Sequence, residues 1–480
     1  MSVTLRVHSP VFVSSRSAGT MALLIVCVLT NVLWPQEALR VASWILLLGY
    51  LALEWPRLPL HSRILLALGG LLVAPVMAGW WAGQSALAQG LDRGAFFATF
   101  FASLFFLAEA ARTSSLIHRC GVFFVNQRPG RRYLLLTVGS YLIGMILNMG
   151  VITLLGTMVR RRNTLAQAGG IEAVRALREK RMMLAVLRGF AITPLASPLS
   201  LGYAVLLTAM PGLNWPKMLG LGALTSLAFL GVGWLVDRLT VRRQVAMLAP
   251  KVPPVVPERD LRPLLGLVAI VLCVLFLAIF IEEARGVRLS QAVLVSLPII
   301  GGVWLTVQHA RFGIARAPRL TARRLARRSR RALPAVRTEI AVLAGAAFIG
   351  TVVAAAVPPE ALAHLLTTGW LPPLLLAPLA SLIILALSMF GINPIVTLTI
   401  LAPTLRSLPD LPVAPEVVAL ALMGGWSLAI CGSPSTASSM LAADLIAKPS
   451  TTVAWRWNGS YTLLAFAVLM AEIFILSTLR

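Results

Sequence analysis

Apolar runs of about 17 to 25 residues recur along the whole chain, separated by short polar or basic stretches, and each is long enough to cross roughly 30 Å of hydrocarbon as a helix. The pattern predicts spans near residues 18–35, 38–54, 64–82, 95–113, 183–210, 218–236, 263–281, 291–308, 338–357, 417–446 and 455–477. Two further apolar segments, 133–159 and 371–405, do not fit this scheme. The first is too short for two spans and too long for one. The run Met21 to Trp34 follows Arg6 and Arg16 but has no small-residue cleavage pattern, so it reads as a retained first span.

Composition narrows the class. Of the 480 residues 58% are hydrophobic and only 12% charged, which excludes a cytosolic globular protein. The net charge of +25 acquires meaning once it is sorted by side of the membrane, because cytoplasmic loops carry the Lys/Arg excess. If 133–159 and 371–405 each enter and leave on one side as re-entrant hairpins, 34 of the 42 basic residues fall inside and 7 outside. Full crossing by 133–159 would put loop 160–188 and its basic residues outside, against that bias. The expected fold is therefore an all-α polytopic membrane protein with about eleven transmembrane helices and two re-entrant hairpins. Its N-terminus is cytoplasmic, its C-terminus periplasmic, and a bacterial inner membrane is the expected location.

The parts recur in order. After an extra helix in 1–37, three spans, a hairpin, a long interrupted span and a closing span make up 38–236. The same series makes up 263–480 in the opposite orientation, after a cytoplasmic linker at 237–262. Inverted repeats of this kind are a common construction of secondary transporters.

The chemistry is expected where helices break. The first hairpin turns at Asn148-Met149-Gly150 and the second at Gly391-Ile392-Asn393-Pro394. Irregular backbone at membrane depth survives only where protein or a watered cavity satisfies it. Asn148, Gly150, Asn393 and Pro394 are accordingly candidates for substrate binding, and Asn148, Asn393, Thr153 and Thr397 for ion coordination. The plainer reading is that each Asn caps a tight turn. The long spans contain Thr193-Pro194-Leu195-Ala196-Ser197-Pro198 and Gly432-Ser433-Pro434-Ser435-Thr436. In both, Ser followed by Pro reads as a cap and first position of a restarted helix, whose free N–H groups favour an anion. Ser197, Ser433, Ser435 and Thr436 join the substrate set, and Ser197 and Gly432 the ion set. The plainer reading is a proline kink.

This architecture resembles the ion transporter superfamily, particularly divalent anion/sodium symporters. Those carry Ser-Asn-Thr at each hairpin tip. Here the triplets are Leu147-Asn148-Met149 and Ile392-Asn393-Pro394, so only the asparagines carry over. The resemblance implies a secondary active transporter of a small, carboxylate-like organic anion, working by elevator-type alternating access, coupled to Na+ or H+, and a homodimer. The alternative is a proton-driven exporter or antiporter of the same fold that expels a toxic or amphipathic compound.

A proton carrier would need a carboxylate in the bilayer. Glu109 is the candidate, with an ion pair to Arg112 as its plainer reading, and Glu472 reads as interfacial. The scarcity of buried carboxylates favours sodium. No His/Asp/Glu cluster or catalytic triad suggests an enzyme, a resident cofactor or a metal, and the four cysteines read as packing residues. The arginine-rich stretch 310–337 has almost no aromatic residue for base stacking, so anionic lipid is its expected partner rather than nucleic acid.

Overall fold

The computed structural model describes residues 15–81, 83–248, 260–356, 372–406, 408 and 413–478. Among these the regular structure is helical and there is no strand. Among the described residues eleven helical stretches are long and apolar enough to cross a membrane, each at the place of one expected span. The chain is a multi-pass membrane protein. Residue 371 of the expected second hairpin and 249–259 of the expected linker lie outside the described residues.

The extra helix is α1 (Ser15–Leu33), and the first series opens with α2 (Glu37–Glu54), α3 (Leu60–Leu71), α4 (Val73–Met77), α5 (Ser85–Arg112) and α6 (Ser115–Val125). A helical hairpin follows, α7 (Pro129–Leu147) and α8 (Gly150–Arg162). Then come the pieces of the broken span, α9 (Glu172–Ala191), α10 (Thr193–Ala196) and α11 (Leu201–Ala209), and the closing α12 (Trp215–Leu248). The second series runs α13 (Arg262–Arg285), α14 (Leu289–His309), α15 (Ala317–Ala335) and α16 (Arg337–Ala356). Its hairpin is α17 (Leu376–Met389) and α18 (Pro394–Arg406), its broken span α19 (Pro415–Gly432) and α20 (Ala437–Leu445), and α21 (Gly459–Thr478) closes it.

At 1.5 Å per residue, the 13 residues of α8, the 14 of α17 and the 13 of α18 each give roughly 20 Å, short of a crossing. The broken spans occupy the centre. The apolar window of Pro415–Leu445 is 100% buried and that of Glu172–Ala209 94%, whereas Arg262–Arg285, at the periphery, is 17% buried. Packing crosses between the series: α16 lies on α5 and α3, α14 on α5, and the closing helices α12 and α21 on one another.

Four features depart from the sequence expectation. The segment Ser115–Val125, expected as loop, is a helix that buries Ile117, Cys120, Phe123, Phe124 and Val125; at 11 residues it is too short to register as a span. The first broken span begins at Glu172 rather than 183, because the basic stretch before it is amphipathic and continues the helix. Neither helix restarts at Ser-Pro. Ser197 and Ser433 instead end α10 and α19 in extended conformation, and the restarts follow Ser200 and Thr436. Ser200 accepts the Tyr203 N–H at 3.2 Å, so it, not Ser197, is the cap. Finally, six residues before α21, Thr452–Trp457, wind as a π-helix.

Candidate functional site

Both breaks are built on one four-residue pattern, Ser197-Pro198-Leu199-Ser200 and Ser433-Pro434-Ser435-Thr436, with the same non-helical course. The hairpin arms are held to the broken helices by a second matched device. Ser140 of α7 donates to the Val186 carbonyl of α9 at 2.7 Å, and Ser381 of α17 donates to the Ala421 carbonyl of α19. Next to these bonds the helices touch through glycine. A β-carbon at Gly189 would lie 2.2 Å from the Thr137 carbonyl oxygen, and one at Gly425 2.7 Å from that of Ser381. Each glycine stands eight positions before the serine of its break. Sequence reading missed this pair, although the matching offsets and the two Ser-Pro-x-Ser/Thr strings were there to find.

The return arms pack across the series: α8 lies on α20, and α18 on α11. The first arm of each hairpin therefore touches the broken span of its own series, and the return arm touches the broken spans of both.

The two tips differ in construction. Asn148 carries φ 50° and ψ −135°, a conformation costly for any residue with a β-carbon, and its N–H closes α7 on the Gly144 carbonyl at 2.8 Å. In the second hairpin the positive φ falls on Gly391, at 88°. Asn393 acts differently, since its side-chain oxygen accepts the Ile395 N–H at 3.0 Å and so starts α18, with Pro394 at the first helical position. The turn-capping reading thus holds for Asn393, and the backbone counterpart of Asn148 is Gly391. Asn148 is half-buried, and Gly150, Thr153 and Asn393 are exposed.

At the second break Ser433 is buried and donates to the Ser388 carbonyl at 2.6 Å, and Ser435, exposed, donates to that of Met389 at 3.2 Å. These bonds tie the break to the tip of the second hairpin. Thr436, Ser438 and Ser439 all turn back to the Ile430 carbonyl, at 3.1, 2.8 and 3.1 Å, answering an acceptor that the break leaves without a helical donor. Gly432 has a packing reason: a β-carbon there would lie 2.8 Å from Thr462 of α21. Among the described hydrogen bonds none joins Asn148 to Asn393, Ser197 or Ser433.

Among the described residues several buried hydroxyls lack a partner, Ser103, Ser290 and Ser427 among them, and two more belong to the expected site residues. Ser197 Oγ, fully buried, and Thr397 Oγ1, 4% exposed, have no hydrogen-bond partner. Ser197 lies just before α11 and Thr397 lies on α18, the helix packed on α11. A buried hydroxyl without a partner costs about 1–3 kcal/mol.

Glu109 is buried, and its main partner is not Arg112, 3.8 Å away, but Arg324 of α15, at 2.8 and 3.0 Å, with Arg328 at 3.4 Å. It fastens the arginine-rich helix to α5. Arg319, Arg323, Arg327, Arg330 and Arg331 line the rest of that helix.

Arg188, counted by sequence among loop cations, is 2% exposed inside the bundle. It donates to Asn458 Oδ1 at 2.8 Å, the Tyr133 hydroxyl at 3.0 Å and the Gly233 carbonyl at 3.3 Å, and lies 4.4 Å from the Tyr461 ring centroid. At the end of α8 a cavity of about 520 Å³ is lined by Thr157, Arg160, Arg161, Arg175, Glu179, Ile446 and Ala447.

No family model matches the chain, and no curated protein does. Among solved structures, the chain is similar in part to the YdaH transporter of Alcanivorax borkumensis, described as having an unusual topology, at 14% identity and a TM-score of 0.48 over 84% of this chain and 87% of that one. Among the described residues no three His, Cys, Asp or Glu converge as a metal-binding group would.

Proposed function

We propose that this protein is a secondary active transporter of a small organic anion, built as an inverted repeat in the manner of the ion transporter superfamily. The observation that carries the reading is the matched pair of central helix breaks, Ser197-Pro198-Leu199-Ser200 and Ser433-Pro434-Ser435-Thr436, with Ser197 Oγ buried and without a partner at the first and a hairpin arm of the other series, bearing Thr397, packed on the helix that follows it. Hydroxyl and carbonyl oxygens at a helix break are the donors that a coupling Na+ takes. Asn148, half-buried at the first tip, and Ser435, exposed at the second break, are positioned for the substrate, together with Gly150, Asn393, Pro394, Ser433 and Thr436. The arginine-lined cavity beside α8 suits an anion on the way in or out. Elevator-type movement of the hairpins and broken spans, and a homodimeric scaffold, complete the proposal.

The test uses full-length protein in detergent and in proteoliposomes. Na+ is expected to raise the unfolding temperature, and Ser197→Ala and Thr397→Val to abolish that rise while leaving the ion-free protein at least as stable. Uptake of carboxylates should need an imposed Na+ or H+ gradient. Uptake indifferent to collapse of every gradient, or an undiminished Na+ effect in both variants, would overturn the proposal.

A further inference from the structure

Away from the tips and breaks, the arginine-rich end of the bundle holds a second cavity, of about 510 Å³. Lys180 of α9 lines it from one side, and Lys448, Pro449, Thr452, Arg456 and Trp457 from the joint between α20 and α21. Three of these residues are cations and none is an acid. Among the described ion pairs none involves Lys180, Lys448 or Arg456, and the carboxylate of Asp237 is taken by Arg181 at 2.6 Å. Positive charges facing one cavity raise one another's energy unless an anion joins them.

The backbone around the cavity is unusual in two ways. Ala447, immediately before Lys448, has φ 51°, a left-handed conformation that a residue with a β-carbon adopts only at a cost. The same joint continues as the π-helix Thr452–Trp457, a winding that recurs at functional sites. Lys180 lies 5.6 Å from the Trp457 ring centroid, which fixes its ammonium at the wall. Trp455 on the same π-turn is 54% exposed, the disposition of an indole at headgroup level. The volume falls in the range of small-ligand sites.

We propose that this cavity is a phosphate site, filled by the headgroup of an anionic phospholipid. A phosphate offers several acceptor oxygens to converging ammonium and guanidinium groups, and basic pockets between membrane helices are suited to such headgroups. The hydroxyl of Thr452 and the indole of Trp457 complete the wall. A phosphate bound there bridges α9 to the start of α21 and so ties the first broken span to the closing helix of the second series. The proposal is independent of the transport reading and of the arginines of α15.

The test is native mass spectrometry of the purified full-length protein titrated with phosphatidylglycerol, with phosphatidylcholine, and with glycerol 3-phosphate or inorganic phosphate. Phosphatidylglycerol is expected to bind in preference to phosphatidylcholine. Each cation removed, in Lys448→Gln and then in Lys448→Gln with Arg456→Gln, should weaken it about five-fold. Arg327→Gln with Arg330→Gln on α15 should leave this binding event in place. The single Lys448→Gln change, at an exposed residue, serves if the double variant fails to fold. Variant-sensitive binding of the soluble phosphates would keep the phosphate site but assign it a soluble source. Phosphatidylglycerol binding that the Lys448 and Arg456 changes leave untouched, with no soluble phosphate bound, would overturn the proposal.

Discussion

Replacing Gly189 by alanine tests the contact that joins the first hairpin to the first broken span. The added β-carbon would stand 2.2 Å from the Thr137 carbonyl oxygen and 2.8 Å from Ser140 Cβ, so α7 and α9 must part by about 1 Å to reach ordinary contact. Overpacking of this kind costs about 1–3 kcal/mol. Loosening the Ser140–Val186 bond adds about 1 kcal/mol, and alanine's better helix propensity returns about 1. The net expectation is a loss of about 1–3 kcal/mol, read as a fall of a few degrees in the unfolding temperature in detergent. Gly425→Ala, with 2.7 Å to the Ser381 carbonyl, should cost less, and Gly220→Ala, with nothing within 4 Å, should be neutral or stabilising. If the three variants shifted alike, or Gly189→Ala raised the transition, the matched glycine contacts would not be what holds the arms to the broken helices.

Three further outcomes follow from single side chains. Asn148→Gly should stabilise the protein by about 1 kcal/mol by relieving a positive φ, yet lower uptake in proteoliposomes by removing the amide from the tip. Arg188→Lys keeps the charge but offers one nitrogen to acceptors spread over Asn458, Tyr133 and Gly233; a loss of about 2–4 kcal/mol in thermal unfolding is expected, and an unchanged transition would contradict it. Glu109→Gln should weaken the hold on Arg324 and Arg328 by about 1–2 kcal/mol and make α15 the first site of trypsin cleavage.

What the sequence disclosed follows from what breaks a helix. Proline and glycine, and asparagine beside them, marked both tips and both interruptions to within a few residues, because their backbone chemistry acts locally. The restart points were missed because Ser-Pro is a local cap signal, and here the extended backbone of Ser197 and Ser433 delays the restart by three positions; Ser200 then caps its helix, while Thr436 makes no capping bond and Ser433 Oγ accepts the Ser435 N–H. Charge sorting misread Arg188, since counting basic residues cannot distinguish a loop cation from one satisfied by Tyr133 and Asn458 far along the chain. Glu109 was read only in part for the same reason: its ion pair with Arg112 follows from the spacing, while Arg324 is brought near only by the docking of α15. The matched tips were half right, with asparagine shared in sequence but the strained backbone position shared by Asn148 and Gly391.

The crossed packing of α18 on α11 and of α20 on α8 also bears on biogenesis. When α11 has been synthesised, the residues that will cover its break, Leu376 to Leu445, do not yet exist. At ordinary translation speed the wait is roughly 10–50 s, during which the Ser197 break stands in the bilayer without its neighbours from the second series. The first series must therefore persist as an incomplete intermediate, and the last tenth of the chain is required before the core of the first can close.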